Sequence, residues 1–222
     1  MALSSGVMLV TPDTPCLPII IDGLVQVHTA CIVNDNTMAT FMPPLNYPQI
    51  YKWWEARVAE VTSAEKQIII SLSEVSSRTP RSDADKDIKI PFSEEGKPWP
   101  IIPASATSTA SELEVSGVVM LATPFSQTGP FRGLVGKLFT SPFHRKKGIA
   151  RAVMKKLEDV AWDLGRWNLL LDTTVGTDAE HVYPRLGYRQ IAYIREYGFS
   201  PKDGSLLDEI WFFKDLRHDT RL

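Results

Sequence analysis

The sequence is poor in cysteine, has no long apolar run and carries almost no net charge, and each lack excludes a class of protein. Its two cysteines, Cys16 and Cys31, stand without Cys or His ligand spacing, which argues against a disulfide framework and a zinc site. No run approaches the ~20 apolar residues of a membrane span, and residues 1–10 have no charged region ahead of their apolar residues. We therefore expect a cytoplasmic protein.

The balance of charge bears on the partners. The chain has 24 basic and 26 acidic residues, a formal charge of −2, which argues against nucleic acid or an anionic membrane as a binding partner. Any anion site must therefore be local. With 44% hydrophobic and 23% charged residues, the composition is that of a globular protein with a full core.

The N-terminal half predicts two helices and one strand. Apolar residues recur with helical spacing over residues 19–33, and a second helix that carries Trp53 and Trp54 begins at Pro48. Residues 67–72 form a short β-branched run typical of a strand. The apolar positions of the first helix are Ile20, Leu24, Val27 and Cys31.

An irregular segment follows at residues 76–111, rich in Ser, Thr, Pro and Asp and without any period. We interpret it as a surface insertion, and a functional lid is the alternative. We expect residues 1–222 to form a single domain that carries this insertion.

The C-terminal half predicts five strands. Four of them form two pairs, an antiparallel one at 114–122 and 133–140 and a second at 188–197 and 206–216, and the fifth lies between the pairs in sequence, at 167–173. The fifth strand is apolar enough to be buried on both faces. A helix begins near Gly148 and ends at Gly165, and a short helix runs from Asp178, as its N-cap, to Leu186. The apolar face of the longer helix comprises Ile149, Val153, Leu157, Val160 and Leu164. This order predicts an α+β fold with one mixed sheet.

The turn before the longer helix has the chemistry of a phosphate site. Residues 143–150 read FHRKKGIA, which places three cations and a glycine at a strand-to-helix turn. A helix start leaves about four backbone N–H groups without partners, and its dipole adds roughly half a positive charge. Gly148 lets an anion approach the backbone closely. A basic helix start that is simply solvated is the alternative.

Two motifs resemble the GNAT superfamily of acyl-CoA N-acyltransferases. Residues 145–150, RKKGIA, match its R/Q-x-x-G-x-G/A pattern, and residues 179–188, AEHVYPRLGY, match A-x-x-x-Y-x-x-x-G-F/Y. Within it, the loop TFMPPL, the strand LLLDT and the closing DEIWFFKDL are similar to the tabtoxin-resistance type of small-molecule acetyltransferase. The resemblance implies a three-layer α/β/α fold whose mostly antiparallel sheet splays between the KLFT and WNLLLDT strands.

The resemblance also implies how acetyl-CoA, the cosubstrate, would bind. Its pantetheine arm would enter the splay and pair with the backbone of Leu138, Phe139 and Thr140, one of whose N–H groups would stabilise the oxyanion. Its pyrophosphate would lie on the turn formed by Arg145, Lys146, Lys147, Gly148, Ile149 and Ala150.

The implied acid–base pair is Tyr183 and Asp172. Tyr183 stands where the superfamily places the acid that protonates the leaving thiolate, and Asp172 stands where tabtoxin-resistance-like enzymes have their proposed base. A core tyrosine and a capping aspartate are the alternatives. Pro184 departs from the family pattern, because proline restrains the preceding residue away from helical angles.

These features predict an N-acetyltransferase that moves an acetyl group to a primary amine of a small molecule by direct attack in a ternary complex. Neither motif contains a cysteine that could carry an acyl intermediate, and we expect no metal. Phe41 and Met42, in a loop stiffened by two prolines, would wall the acceptor site. We expect a monomer or homodimer, and give no role to His28, His144 or His181. The alternatives are a protein N-terminal or lysine acetyltransferase and a catalytically silent CoA-binding module.

Overall fold

The fold is a seven-stranded sheet with helices on both faces. The structure is a computed structural model, and it describes residues 2–63, 65–78 and 88–218. The strands are β1 (Gly6–Val10), β2 (Lys66–Glu74), β3 (Leu113–Ala122), β4 (Arg132–Thr140), β5 (Asn168–Thr174), β6 (Arg189–Phe199) and β7 (Leu206–Asp215). The helices are α1 (Leu17–Asp35), α2 (Tyr47–Thr62), α3 (Ile149–Asp163) and α4 (Asp178–Arg185).

The strand order is β1-β2-β3-β4-β5-β7-β6. All neighbouring strands pair antiparallel except β4 and β5, which are parallel. The prediction of an α+β fold with one mixed, mostly antiparallel sheet is confirmed. The sequence reading missed β1, which pairs with β2 at the edge of the sheet.

Each face of the sheet has its own apolar core. On one face α1 and α2 pack on β2, β3 and β4 around Ile20, Leu24 and Trp54, all fully buried. On the other face α3 places Val153 and Leu157 against the sheet. These two layers of helices enclose the sheet, which is the predicted three-layer arrangement.

Helix α1 is buried nearly all round rather than along one stripe. It is long and apolar enough to cross a membrane, but most of it lies inside the protein, as expected for a core helix. The buried stretch includes polar side chains, and their partners lie in the same core. Thr29 donates to the carbonyl of Val25 at 2.8 Å, and the Gln26 amide donates to the carbonyl of Lys97 at 2.9 Å.

Three local predictions were wrong in detail. Strand β5 is not buried on both faces, because Leu169 and Leu171 are buried while Asp172, on the opposite face, is exposed. Leu164 is 42% exposed because α3 ends before it. The N-cap of α4 is Thr177 rather than Asp178. The first difference matters most, because it opens one face of β5 to a ligand.

The irregular segment at 76–111 is not simply a surface insertion where it is described. Trp99 and Ile102 are buried in the core that contains α1, and the Trp99 ring contacts Phe143 with centroids 4.9 Å apart. The Asn34 side chain binds both backbone polar groups of Lys89. The described parts of the segment therefore pack into this core, while residues 79–87 of this prediction lie outside the described residues.

Candidate active site

The parallel strands β4 and β5 separate soon after they meet. They pair only from Arg132 opposite Asn168 to Leu134 opposite Leu170. Beyond that point no described strand pairs with residues 135–140 of β4 on the β5 side, and the same holds for the end of β5. The predicted splay is confirmed, and it leaves one row of backbone N–H and C=O groups open to an extended ligand.

A β-bulge lies in β4 beside this opening. The pairing of β3 and β4 shifts register between Val118 and Met120, so that Lys137 and Leu138 of β4 together face one residue of β3. Lys137 has a φ of 56°, a left-handed conformation that costs a non-glycine residue about 1–3 kcal/mol. The bulge bends β4 just before Leu138, the first residue that we predict to contact the pantetheine arm.

The predicted phosphate turn has the backbone geometry of an anion site. Gly148 is the N-cap of α3 with a φ of 75°, and a Cβ added there would meet nothing within 4 Å. No described side chain caps this helix start, so no described side chain satisfies the first N–H groups of α3. Ile149 and Ala150 supply two of those groups, and the Ile149 side chain is buried in the core beneath. The turn is therefore accessible to a phosphate.

Two of the three cations on this turn already hold protein groups. Arg145 donates to both carboxylate oxygens of Asp35, at the end of α1, over 2.7 Å each. The Lys147 ammonium donates to the carbonyl of Ser77. Lys146 is exposed and has no ion pair with any described residue. The free charge offered to an anion is thus smaller than the sequence implies.

A buried ionic network supports the turn from below. His144 is fully buried and its Nε2 lies 2.7 Å from Oε1 of Glu114, while the Arg78 guanidinium binds the same carboxylate. Burial alone would raise the pKa of Glu114, but the contacts with Arg78 and His144 bring it below its usual value. His144, to which we assigned no role from the sequence, therefore anchors the turn to β3.

Tyr183 is buried at the end of α4. It is 5% exposed, and its ring packs against Phe212 of β7 at a centroid distance of 5.6 Å. Pro184 lies inside the helix, and its effect is limited because only one residue of α4 follows it. Tyr183 therefore keeps its place in the helix although Pro184 follows it. Burial, and then the charge of Asp172, raises the pKa of Tyr183, so the phenol keeps its proton at neutral pH.

Asp172 belongs to a cluster that the sequence did not reveal. Its carboxyl lies within hydrogen-bonding reach of Glu209 on β7, and the charge of Lys137 on β4 acts on both. Although one side of Asp172 is open to solvent, desolvation by the surrounding protein raises its pKa. Glu209 is only 6% exposed, and burial followed by the charge of Asp172 raises its pKa to about 7. Burial lowers the pKa of Lys137.

The register of the sheet explains this meeting. Asp172 pairs with Trp211 and Thr174 pairs with Glu209, so the side chains of all four lie on one face. That face is the one covered by α1 and α2, since Lys214, an odd number of residues from Glu209, reaches Glu158 of α3 on the other face. The sequence does show Glu209 as an acidic residue within an apolar strand. It contains no local pattern, however, that indicates a contact between Glu209 and Asp172.

Aromatic side chains wall the same face. Phe41 and Trp53 contact edge to face with centroids 5.9 Å apart, and the Lys137 ammonium lies 6.0 Å from the Trp53 ring centre. His28 stacks on Phe139 at 4.7 Å and donates from Nε2 to the carbonyl of Ala39, and burial lowers its pKa to about 3. Phe41 is thus at the site, whereas Met42 is 47% exposed.

The loop between α1 and α2 reaches across to the last strand pair. The Ser200 hydroxyl lies 3.2 Å from Oδ1 of Asn36. Met38 packs so closely on Gly198 that a Cβ there would lie 2.6 Å from its sulfur. These contacts join the loop to the end of β6, the neighbour of the strand that carries Glu209.

Comparison with known proteins identifies the family. The Acetyltransferase (GNAT) family model matches residues 75–188, half of the chain. The chain therefore belongs to the GNAT acetyltransferase family. It is an N-acetyltransferase that depends on acetyl-CoA.

Solved structures with little sequence identity share the fold. YncA from Salmonella typhimurium, solved with its cofactor acetyl-CoA, is 13% identical with a TM-score of 0.61, over 96% of this chain and 95% of that one. A ribosomal-protein-alanine N-acetyltransferase from Brucella melitensis is 12% identical with a TM-score of 0.59, over 95% and 99%. A proposed phosphinothricin N-acetyltransferase is 10% identical with a TM-score of 0.61, over 96% and 99%.

The residues present fit acetyl-CoA. The open edge of β4 offers backbone groups to an extended arm, and the turn at Gly148 offers helix N–H groups to a pyrophosphate. Within residues 2–63, 65–78 and 88–218, no cluster of three or more His, Cys, Asp or Glu side chains could hold a metal ion.

Proposed function

We propose that the enzyme acetylates the primary amine of a small molecule, in the manner of the tabtoxin-resistance type. The observation that carries this proposal is the contact of the α1–α2 loop with the end of β6, through Asn36 with Ser200 and Met38 with Gly198. A peptide substrate needs an open groove, whereas this contact encloses the acceptor side. The fold alone does not decide, because it is shared with proteins named for both kinds of substrate.

In this proposal acetyl-CoA lies along the open edge of β4. The backbone of Leu138, Phe139 and Thr140 pairs with the pantetheine arm, and the turn at residues 145–150 holds the pyrophosphate through backbone N–H groups. One N–H of β4 faces the thioester oxygen, where loss of such a donor typically costs ~2.7–4 kcal/mol.

The carboxyl pair of Asp172 and Glu209 supplies the base. An alkylammonium of pKa ~10.4 cannot attack at neutral pH, so Asp172 takes its proton and leaves a free electron pair on nitrogen. The nitrogen forms a bond to the thioester carbon while the carbon–sulfur bond breaks. Tyr183 gives its proton to the departing sulfur, and the proton lost by nitrogen on forming the amide passes by way of solvent to restore the phenol.

Two further expectations stay predictions. The first is that the described chain acts as one domain, into which the segment at 76–111 is built through Trp99 and Ile102. The second is that the enzyme works in the cytoplasm as a monomer or homodimer.

The test is a matched comparison of kcat/KM for a panel of small primary amines and for peptides with free N-termini or lysines. We expect the best small amine to exceed the best peptide by at least about tenfold, 1.4 kcal/mol in transition-state binding. Met38→Ala should narrow that margin, because it opens the contact with Gly198. If peptides are preferred by tenfold in the unmodified enzyme, it is a protein acetyltransferase and the proposal is wrong.

A further inference from the structure

Lys137 poses a problem for any site that takes a bare amine. Its ammonium lies 6.0 Å from the centre of the Trp53 ring, and the charges of Asp172 and Glu209 act on it. An amine substrate arrives as an ammonium, so it meets a like charge at the place where it must bind. A lysine here offers a complementary charge to a substrate that also brings an anion.

The surroundings of Lys137 leave its charge available. No described residue accepts a hydrogen bond or forms an ion pair within 4.0 Å of its ammonium, although two carboxylates act on it from farther away. Lys137 lies in the bulge of β4, and its contact with Trp53 of α2 places the ammonium on the side of the sheet that α1 and α2 cover. A cation that is partly desolvated and lacks a direct partner is stabilised by an anion that completes its shell.

The opposite end of the site carries unpartnered polar atoms. Glu209 Oε2 and Trp211 Nε1 are both buried and lack a hydrogen-bond partner in the described part of the chain. The two residues are separated by one position on β7 and point to the same face. A buried acceptor and a buried donor side by side call for a polar ligand, because each costs free energy when left unsatisfied.

We infer that the acceptor is an amino acid or a close analogue, with its ammonium at Asp172 and Glu209 and its carboxylate at Lys137. The inference rests on the proposed function and narrows it to one chemical class. A cation and a carboxyl pair on one face form a complement to a molecule that carries both charges. The rings of Trp53 and Phe41 beside them favour an apolar or aromatic side chain.

The test uses three acceptors with one skeleton: phenylalanine, its amide and phenethylamine, which lacks the carboxylate. In the unmodified enzyme we expect kcat/KM for phenylalanine to exceed that for phenethylamine by at least tenfold, with the amide close to phenethylamine. Lys137→Met should remove that preference by lowering the value for phenylalanine alone. Lys137→Arg, which keeps the charge, should restore part of it.

The matched control is Lys52→Met, on the exposed face of α2, which should leave the preference intact. If phenethylamine is acetylated as well as phenylalanine by the unmodified enzyme, the inference is wrong while the small-amine proposal stands. If only peptides are acetylated, the proposed function itself fails. If Lys137→Met loses all turnover, the ratio in the unmodified enzyme decides, and a ratio below threefold overturns the inference.

Discussion

The two ends of the active site are built in opposite ways. The proposed cosubstrate end is one contiguous turn, residues 145–150, which offers backbone N–H groups. The acceptor end draws Trp53, Lys137, Asp172 and Glu209 from one helix and three strands. The first is a property of local chain geometry, whereas the second exists only once the sheet has formed.

The ends also differ in how their charges are used. At the turn, Arg145 and Lys147 are held by Asp35 and Ser77, so the protein itself satisfies them. At the acceptor end, Lys137 and Glu209 are partly desolvated and keep unsatisfied groups. A site that holds the same cosubstrate in every cycle can rely on fixed backbone groups, while the acceptor end keeps its charges for a substrate.

The largest expected effect is at the turn. Gly148→Glu should weaken acetyl-CoA binding at least 100-fold, about 2.7 kcal/mol, because it forces a side chain to a φ of 75° and brings a carboxylate to the anion site. Calorimetry measures the change. Gly165→Glu is the matched control, since it has a φ of 70°, equally open space, and lies at the other end of α3. Equal losses in both variants would remove the turn from the binding site.

Tyr183→Phe tests the group between the two ends. It should lower kcat by about 100-fold and leave acetyl-CoA affinity unchanged, because the hydroxyl acts only as the thiolate leaves. Single-turnover kinetics separates this step from product release. Tyr188→Phe, a neighbouring buried tyrosine at a position where the family motif accepts either residue, should keep wild-type turnover. If the Tyr183→Phe enzyme has a normal kcat, the proton that reaches the departing thiolate comes from solvent and not from Tyr183.

Those two predictions depend on residues that the sequence identified, and the reason is physical. Helix α3 and its glycine turn are encoded within twenty residues, by apolar periodicity and by one positive-φ glycine. Tyr183 follows from the motif on α4. Lys137 and Glu209 were missed because a bulge and a strand register bring them together. Strand β1 was missed because five residues give too short a pattern to separate from a coil.

A smaller effect is expected in the pH dependence of kcat/KM, which the carboxyl pair at the acceptor end controls. Glu209 has a raised pKa of about 7 beside Asp172 and Lys137, so the carboxyl pair holds a shared proton below that pH and loses it above. The pair accepts a proton better once it carries two charges, and kcat/KM should therefore rise through about pH 7. Glu209→Gln should abolish this step, and Asp172→Asn should flatten the profile. Glu55→Gln, on the surface of α2, should retain it.

The smallest expected effects are those of removing one cation of the turn, and they should differ between Arg145 and Lys146. Arg145→Gln should change the free energy of unfolding by less than about 1 kcal/mol and acetyl-CoA affinity by less than threefold, because Arg145 is engaged in a half-exposed ion pair with Asp35. Lys146→Gln should weaken acetyl-CoA binding more, since its charge has no described partner. Titration calorimetry on both variants gives the order, and a larger loss for Arg145→Gln would mean that it leaves Asp35 to bind the pyrophosphate.

The short pairing of β4 with β5 has a mechanical consequence. The sheet consists of two leaves, β1 to β4 on one side and β5, β7 and β6 on the other, whose backbones meet only between residues 132–134 and 168–170. In the proposed binding mode, acetyl-CoA lies between the two leaves and pairs with the open edge of β4 as an additional strand would. Its binding is then expected to stiffen the sheet, so that release of CoA at the end of each turnover lets the two leaves move apart.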